Sequence, residues 1–286
     1  MKIHPDCYPC LIRQMEAAAR AAGADGDMIH SVREATKESL RELWDDEASP
    51  PAVSAPLYRM TGEMCGSRDP YRAQKVRYTL EALELLPELF RIVESAEDPF
   101  EAAVRISIAG NVIDFGTGGD GEIGDLSQTL VAFLTRPFFR SDIPDLSRRV
   151  PEAKRILYLG DNAGETVFDR PLLSLLPSGK TVYAAKAGPI INDATVEDAR
   201  LAGIHLHAEL VDTGSRIPGT ISDLCSPRFR KRMEEADLII AKGQGNFETL
   251  TEEPSDGRIF MLFTVKCSVA ASSLGARMGD MVAMRW

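Results

Sequence analysis

The stretch RILYLGDNAGE, Arg155 to Glu165, decides the reading of the chain. RILYL is a short apolar run of the kind that forms a buried strand. GDNAGE, flanked by two glycines, makes a tight turn, and a helical stretch follows over Thr166–Leu176. The same unit recurs downstream. Apolar runs lie at Thr181–Ala185, His205–Val211, Asp237–Ala241 and Arg258–Val265, with helical candidates at Asp193–Ala202 and Pro227–Ala236. Strands alternating with helices imply a mostly parallel sheet covered by helices, an α/β fold.

Working outward from Arg155, the character changes near Pro151. The first part reads as helical. Leu11, Ile12, Met15, Ala18 and Ala19 recur at helical spacing after Pro9, and Gly23 ends that helix. Ile29, Val32, Leu40 and Leu43 share one face of a second helix after Asp27. Ser54 and Pro56 suggest a third start, after a loop at Ser49–Pro56. Pro70–Ser95 carries Val76, Leu80, Leu83 and Leu86, with Pro87 as a break or kink. Asp98, Pro99 and Glu101 form a helix start, and a further helix is expected over Asp125–Thr135. The expected division is a helical region, 1–150, and an α/β domain, 151–286.

Composition narrows the function. The 286 residues carry a formal net charge of -10 with no basic stripe, which argues against nucleic acid as a partner. No run approaches the ~18 apolar residues of a membrane span, and MKIHPDCYPC has no signal-peptide core. A cytoplasmic protein is expected, without a membrane partner. Five cysteines in a long chain do not make a disulfide framework.

In open parallel sheets, ligands bind beyond the carboxyl ends of the strands. Those ends carry Gly160-Asp161-Asn162, Lys186 and the Ile190–Thr195 segment, Asp212-Thr213-Gly214, Lys242-Gly243-Gln244-Gly245-Asn246, and Lys266-Cys267. Asp161 and Asn162 on one turn, with Asp193, offer two carboxylates and an amide, a donor set that suits Mg²⁺ or Mn²⁺. The local alternative makes Asp193 a helix cap and Asp161 and Asn162 turn formers. Lys242 and Lys266 can each hold a phosphate oxygen, and Gly243 and Gly245 let backbone N–H groups approach the same anion.

GDNAGE, IINDAT, DLIIAKGQGNFE and TVKC together resemble the DUF89 family, the damage-control phosphatases. Cys7-x-x-Cys10 and AGNVIDFG (Ala109–Gly116) resemble its prokaryotic branch. The resemblance implies a helical N-terminal region joined to a Rossmann-like three-layer α/β/α domain. It also implies metal-dependent hydrolysis of small phosphate monoesters: sugar phosphates, phosphopantetheine-like compounds or damaged phosphometabolites. Mn²⁺, Co²⁺, Ni²⁺ or Mg²⁺ is the implied metal. Carried across by motif, Asp161, Asn162 and Asp193 would hold it, and Gln244, Asn246 and Lys266 would contact substrate phosphate. Asn111, Asp114, Glu165 and Lys242 would join the substrate site. Asp161 and Lys266 are the catalytic candidates, with Asp161 acting as ligand or as nucleophile.

Other motifs compete less well. Gly116-x-Gly118-x-x-Gly121 has the letters of a dinucleotide loop but follows a helical pattern instead of a strand. Asp120–Asp125 lacks the spacing of a Ca²⁺ loop. Cys7 and Cys10 form one CxxC without a second pair. His4 with Cys65 or Cys267 would be needed for zinc, and packing at a helix start is the plainer reading. His205 and His207 are expected on one side of a strand, and Gly214-Ser215 lacks a nucleophile elbow. Two other functions stay open. One is an S-adenosylmethionine-dependent carboxyl methyltransferase. The other is a non-enzymatic metal- or phosphate-binding module whose CxxC senses redox state.

Overall fold

The computed structural model describes residues 1–110 and 133–286. Asn111, Asp114, the glycines 116, 118 and 121, the acidic stretch Asp120–Asp125 and most of the helix expected over Asp125–Thr135 lie outside the described residues.

Three helices open the chain: α1 (Cys7–Ala21), α2 (Gly26–Leu43) and α3 (Pro50–Met64). Asp25 caps α2 by accepting the Met28 N–H at 2.9 Å. The apolar stripes read from the sequence meet here, with Leu11, Met15, Val32, Leu40, Val53 and Leu57 in one cluster. The loop expected at Ser49–Pro56 is instead the start of α3, because Pro50 and Pro51 occupy the first turn, where a missing N–H costs nothing. Helix α4 (Arg72–Ser95) continues through Pro87 without ending, and α5 (Pro99–Gly110) starts where expected, with Asp98 accepting the Glu101 N–H.

The sheet follows. Its strands are β1 (Phe138–Ser141), β2 (Ile156–Leu159), β3 (Thr181–Ala185), β4 (Glu209–Asp212), β5 (Leu238–Lys242), β6 (Ile259–Thr264) and β7 (Met281–Arg285). The intervening helices are α6 (Ile143–Arg149), α7 (Glu165–Ser174), α8 (Val196–Leu201), α9 (Pro227–Glu235), α10 (Gly243–Leu250) and α11 (Ser268–Leu274). Strand order is β1-β7-β6-β5-β2-β3-β4. The pairings from β6 to β4 are parallel, β6 and β7 are antiparallel, and β1 runs parallel to β7.

Alternation along the strands builds two cores. Ile156, Tyr158, Leu238, Ile240, Phe260 and Leu262 face α4, α5 and α7. Leu157, Leu159, Ile239, Ala241, Met261 and Phe263 face α9, α10 and α11. The result is the expected three-layer α/β/α arrangement. The division expected at 150/151 does not mark where the sheet begins: β1 precedes it, and α4 and α5 share a core with the strands.

Two further expectations are corrected. His205 and His207 are not on a strand. Gly203, at φ 81°, turns the chain into a 3₁₀ turn at Ile204–Leu206, and β4 starts only at Glu209. The glycine run after β5 is the first turn of helix α10, not a loop.

Among the described residues, no helix is long and apolar enough to cross a membrane. Phe168 is fully buried in the core between α5, α7 and the sheet. Phe168→Ala is expected to cost about 3–5 kcal/mol, read as a fall in the urea midpoint. Leu206→Ala, on a side chain 66% exposed, should change stability by less than about 0.5 kcal/mol.

Candidate active site

After β2 the chain goes first to β3 and β4 on one side, then crosses to β5 and β6 on the other. The carboxyl ends of β2 and β5 therefore border the switch point of the sheet, where such folds open a crevice. Asp161 and Asn162 follow β2, and Lys242 ends β5.

The Asp161 and Asp193 segments are stitched together by backbone. Asn162 and Asp193 form an isolated antiparallel bridge. The Ala194 N–H donates to Asp161 O at 2.7 Å, and the Ala163 N–H donates to Asn192 O at 2.9 Å. Two residues before Asp193, Ile191 sits at φ 44°, the positive-φ non-glycine residue of the described chain and a strained conformation for a β-branched side chain. Asp193 does not cap the following helix. Thr195 does, in a capping box with Asp198.

The side chains then converge. Asp161 is 9% exposed and Asp193 3%. The Asn162 amide donates to Asp161 Oδ2 at 3.0 Å and to Glu165 Oε2 at 3.1 Å. Only the NH₂ group can serve two carboxylates, so the amide oxygen is the atom left to face a cation. Asp193 Oδ2 is buried, with the Lys186 ammonium 3.5 Å away. Burial, then Glu165 and Asp193, hold the Asp161 carboxyl well above its ordinary value, against the pull of Lys266 and Lys186. Burial pushes Asp193 up to about 6, opposed first by Lys186 and then by Lys75. Desolvated carboxylates that crowd one another call for a cation. Among the described residues, no three His, Cys, Asp or Glu groups form a metal-holding cluster; the donors expected from the sequence are two carboxylates and an amide oxygen. These are hard donors that fit a divalent ion completed by water or substrate.

Gly243 allows the approach of β5 to this site. It sits at φ 81°, and a Cβ there would fall on the Asp161 carboxylate. Lys242, expected to hold phosphate, is used otherwise. Its ammonium donates to Glu165 Oε1 at 2.5 Å, Asp169 Oδ1 at 2.7 Å and Ser107 O at 2.8 Å, fully buried. Burial alone would lower the Lys242 pKa, but Asp169 and Glu165 outweigh it and raise it. Asp169 also accepts from Ser107, Tyr158 and Tyr183. Asn246, expected at the substrate, is buried inside α10, where it donates to Lys242 O at 2.7 Å and accepts from Thr220 Oγ1 at 2.8 Å. Gln244 positions the Lys266 segment: its Oε1 takes the Lys266 N–H at 2.8 Å, while its Nε2 reaches Glu248 at 2.7 Å.

Two lysines join the site without having been singled out as site residues. Lys186 directly follows β3, is 3% exposed, lies 3.5 Å from Asp193 Oδ2 and donates to Gly219 O. Its position directly after a strand was a readable signal. Lys75, on α4, pairs with Asp69 at 2.9 Å and Asp198 at 3.0 Å. Nothing in a helical pattern marks it, since only the tertiary packing brings α4 over α8. Tyr58 of α3 is also buried close enough to feel the Asp193 charge.

The mostly parallel sheet thus brings buried carboxylates and lysines together at its switch point. The damage-control phosphatase ARMT1-like domain matches residues 3–282. A damage-control phosphatase of Pyrococcus horikoshii is 35% identical over 100% of this chain and 98% of its own. One from Archaeoglobus fulgidus is 36% identical over 99% of each. The crystal structure of a DUF89 family protein from Pyrococcus horikoshii superposes with a TM-score of 0.88 at 34% identity, covering 100% of this chain and 99% of the other. The chain belongs to the DUF89 family of damage-control phosphatases.

Lys242→Met would leave Glu165 and Asp169 buried without their counter-ion. It is expected to cost about 3–5 kcal/mol in denaturant unfolding. Glu248 gives a pH signature. Burial pushes it up to about 7 from an ordinary 4.5. Between those values the unfolded chain releases a proton that the fold retains, so this residue's contribution to stability falls as pH rises and is level above about 7. Glu248→Gln should remove that slope, so that the stability difference between variant and wild type grows by about 1–3 kcal/mol from pH 5 to pH 8 in urea titrations.

Proposed function

We propose that the chain is a metal-dependent phosphomonoesterase acting on small phosphorylated metabolites, with Asp161, Asn162 and Asp193 holding a divalent cation. Membership in the damage-control phosphatases makes it a phosphatase of damaged or side-product phosphometabolites. The observation that carries the metal reading is the pair of desolvated carboxylates, Asp161 and Asp193, held together by the bridge between Asn162 and Asp193. Mn²⁺, Co²⁺, Ni²⁺ and Mg²⁺ are the candidates, and the oxygen donors favour Mg²⁺ and Mn²⁺ among them. Such an ion, when bound, polarises a phosphoryl oxygen and acidifies a water.

The chain's own residues supply the rest. Glu165 fixes the Asn162 amide, and Lys242 fixes Glu165. Lys186 and Lys266, whose charges both act on Asp161, offset the negative charge that grows on the phosphoryl group. Gln244 holds the backbone that carries Lys266. Asp161 is either a ligand alone or also the nucleophile that accepts the phosphoryl group. Asn111 and Asp114 remain proposed substrate contacts from outside the described residues. The proposed substrates are sugar phosphates, phosphopantetheine-like esters or their damaged forms, in the cytoplasm.

Phosphate release should be measured over a panel of metals and esters. Asp161→Ala, Asn162→Ala and Asp193→Ala are each expected to lower the metal-dependent rate by at least about 100-fold while circular dichroism stays native. Full activity in all three would overturn the site, and methyl transfer without any divalent ion would favour the methyltransferase.

A further inference from the structure

One turn of α4 touches both segments that carry the candidate metal ligands. Lys75 and Tyr78 lie three residues apart and so share a face of that helix. Tyr78 meets the GDNAGE turn. A Cβ on Gly164 would lie 3.2 Å from Tyr78 Cβ and 3.5 Å from its carbonyl carbon. Gly164 therefore lets the turn that carries Asp161 and Asn162 pack closely on the helix. Lys75 meets the other segment. Its ammonium, 2% exposed, lies 3.0 Å from Asp198 Oδ2 and 2.9 Å from Asp69 Oδ2.

Asp198 relays that contact towards Asp193. The oxygen that takes the Lys75 ammonium also accepts the Thr195 N–H at 2.9 Å and the Thr195 hydroxyl at 2.7 Å. Thr195 bridges to Lys186, whose N–H donates to Ala194 O at 2.8 Å. The segment needs such anchoring. Ile191, at φ 44°, opens it in a conformation that β-branched side chains avoid. Strain of that kind persists only where the surroundings hold it. Backbone bonds to Asp161 and Ala163 hold Asn192 and Ala194. The Thr195 end is held by the Asp198 side chain, and Asp198 by Lys75. A capping box needs no lysine, so this buried ammonium adds a tie to the helical layer that the cap alone does not supply.

We propose that Lys75 is a positioning residue for the metal site. Through Asp198 and Thr195 it holds Asp193 where it can share a divalent cation with Asp161. The proposal rests on the reading of Asp161, Asn162 and Asp193 as the metal ligands. One turn of α4 then sets the spacing of the two ligand segments: Tyr78 against Gly164 seats the first, and Lys75 on Asp198 seats the second. Groups that orient a metal ligand from behind typically contribute about 10–100-fold to metal affinity.

The test measures Mn²⁺ binding to the full chain by calorimetry, beside hydrogen exchange in the absence of metal. Lys75→Met is expected to raise the Mn²⁺ Kd about 10–100-fold. It should also speed exchange at the amides of residues 193–198 while the β5 amides exchange as in wild type. Asp198→Asn keeps an oxygen for the Thr195 cap but loses the charge, and should weaken Mn²⁺ binding to the same extent. The double variant should be no weaker than either single one, because both changes break one link. Asp69→Asn removes the partner of Lys75 that does not touch the segment. It should lower the urea midpoint and leave the Mn²⁺ Kd near that of wild type. An unchanged Kd in folded Lys75→Met or Asp198→Asn, or additive losses in the double variant, overturns the proposal. If wild type takes up no Mn²⁺, the metal reading itself falls, and unaltered exchange at residues 193–198 in Lys75→Met then overturns the positioning as well.

Discussion

The arrangement depends on one buried ammonium. Lys242, with no solvent exposure, binds Glu165 and Asp169 beneath the switch point of the sheet. Desolvating three charges is expensive, and the cost is offset only because nearly every lone pair is met: Ser107, Tyr158 and Tyr183 complete the shell of Asp169. The cluster ties together α5, α7 and three neighbouring strands. Its outward member, Glu165, turns its second oxygen to Asn162, and Asn162 turns to Asp161. A structural ion pair thereby orients the Asn162 amide, one of the proposed metal ligands.

Above that cluster, Asp161 and Asp193 are buried as well, and here the lysine charges come from Lys186 and Lys266. Lys186 stands 3.5 Å from Asp193, and the charge of Lys266 acts on Asp161. Gly243 must lack a side chain, because any carbon there would occupy the space of Asp161.

Much of this was legible in the sequence because it is local. RILYL, TVYAA and DLIIA are strands within a residue of their expected ends, and the strand-end rule brought Asp161, Asn162 and Asp193 together. What misled was burial. Lys242 and Lys266 look alike as lysines at strand ends, but only the packing of α5 and α7 makes one of them structural. The run GQGN reads as a flexible loop, although Asn246 inside it is satisfied on both sides by Lys242 O and Thr220, which stabilises a helix. Strands β1 and β7 escaped notice because FFRS is short and MVAMR carries no alternation. Lys75 could not be seen at all, since its role arises from a contact between residues distant in sequence.

The rims of the sheet have a consequence for the protein's behaviour in company. Each outer strand, β1 and β4, has only four residues. One carries Arg140, and the other begins with Glu209 and ends with Asp212. Short, charged borders offer a poor template for another chain's strand. The long apolar strands β5 and β6, which are the segments most apt to self-associate, lie inside the sheet with a partner on each side. A protein with this order of strands can expose its crevice at high concentration and still resist joining sheets edge to edge.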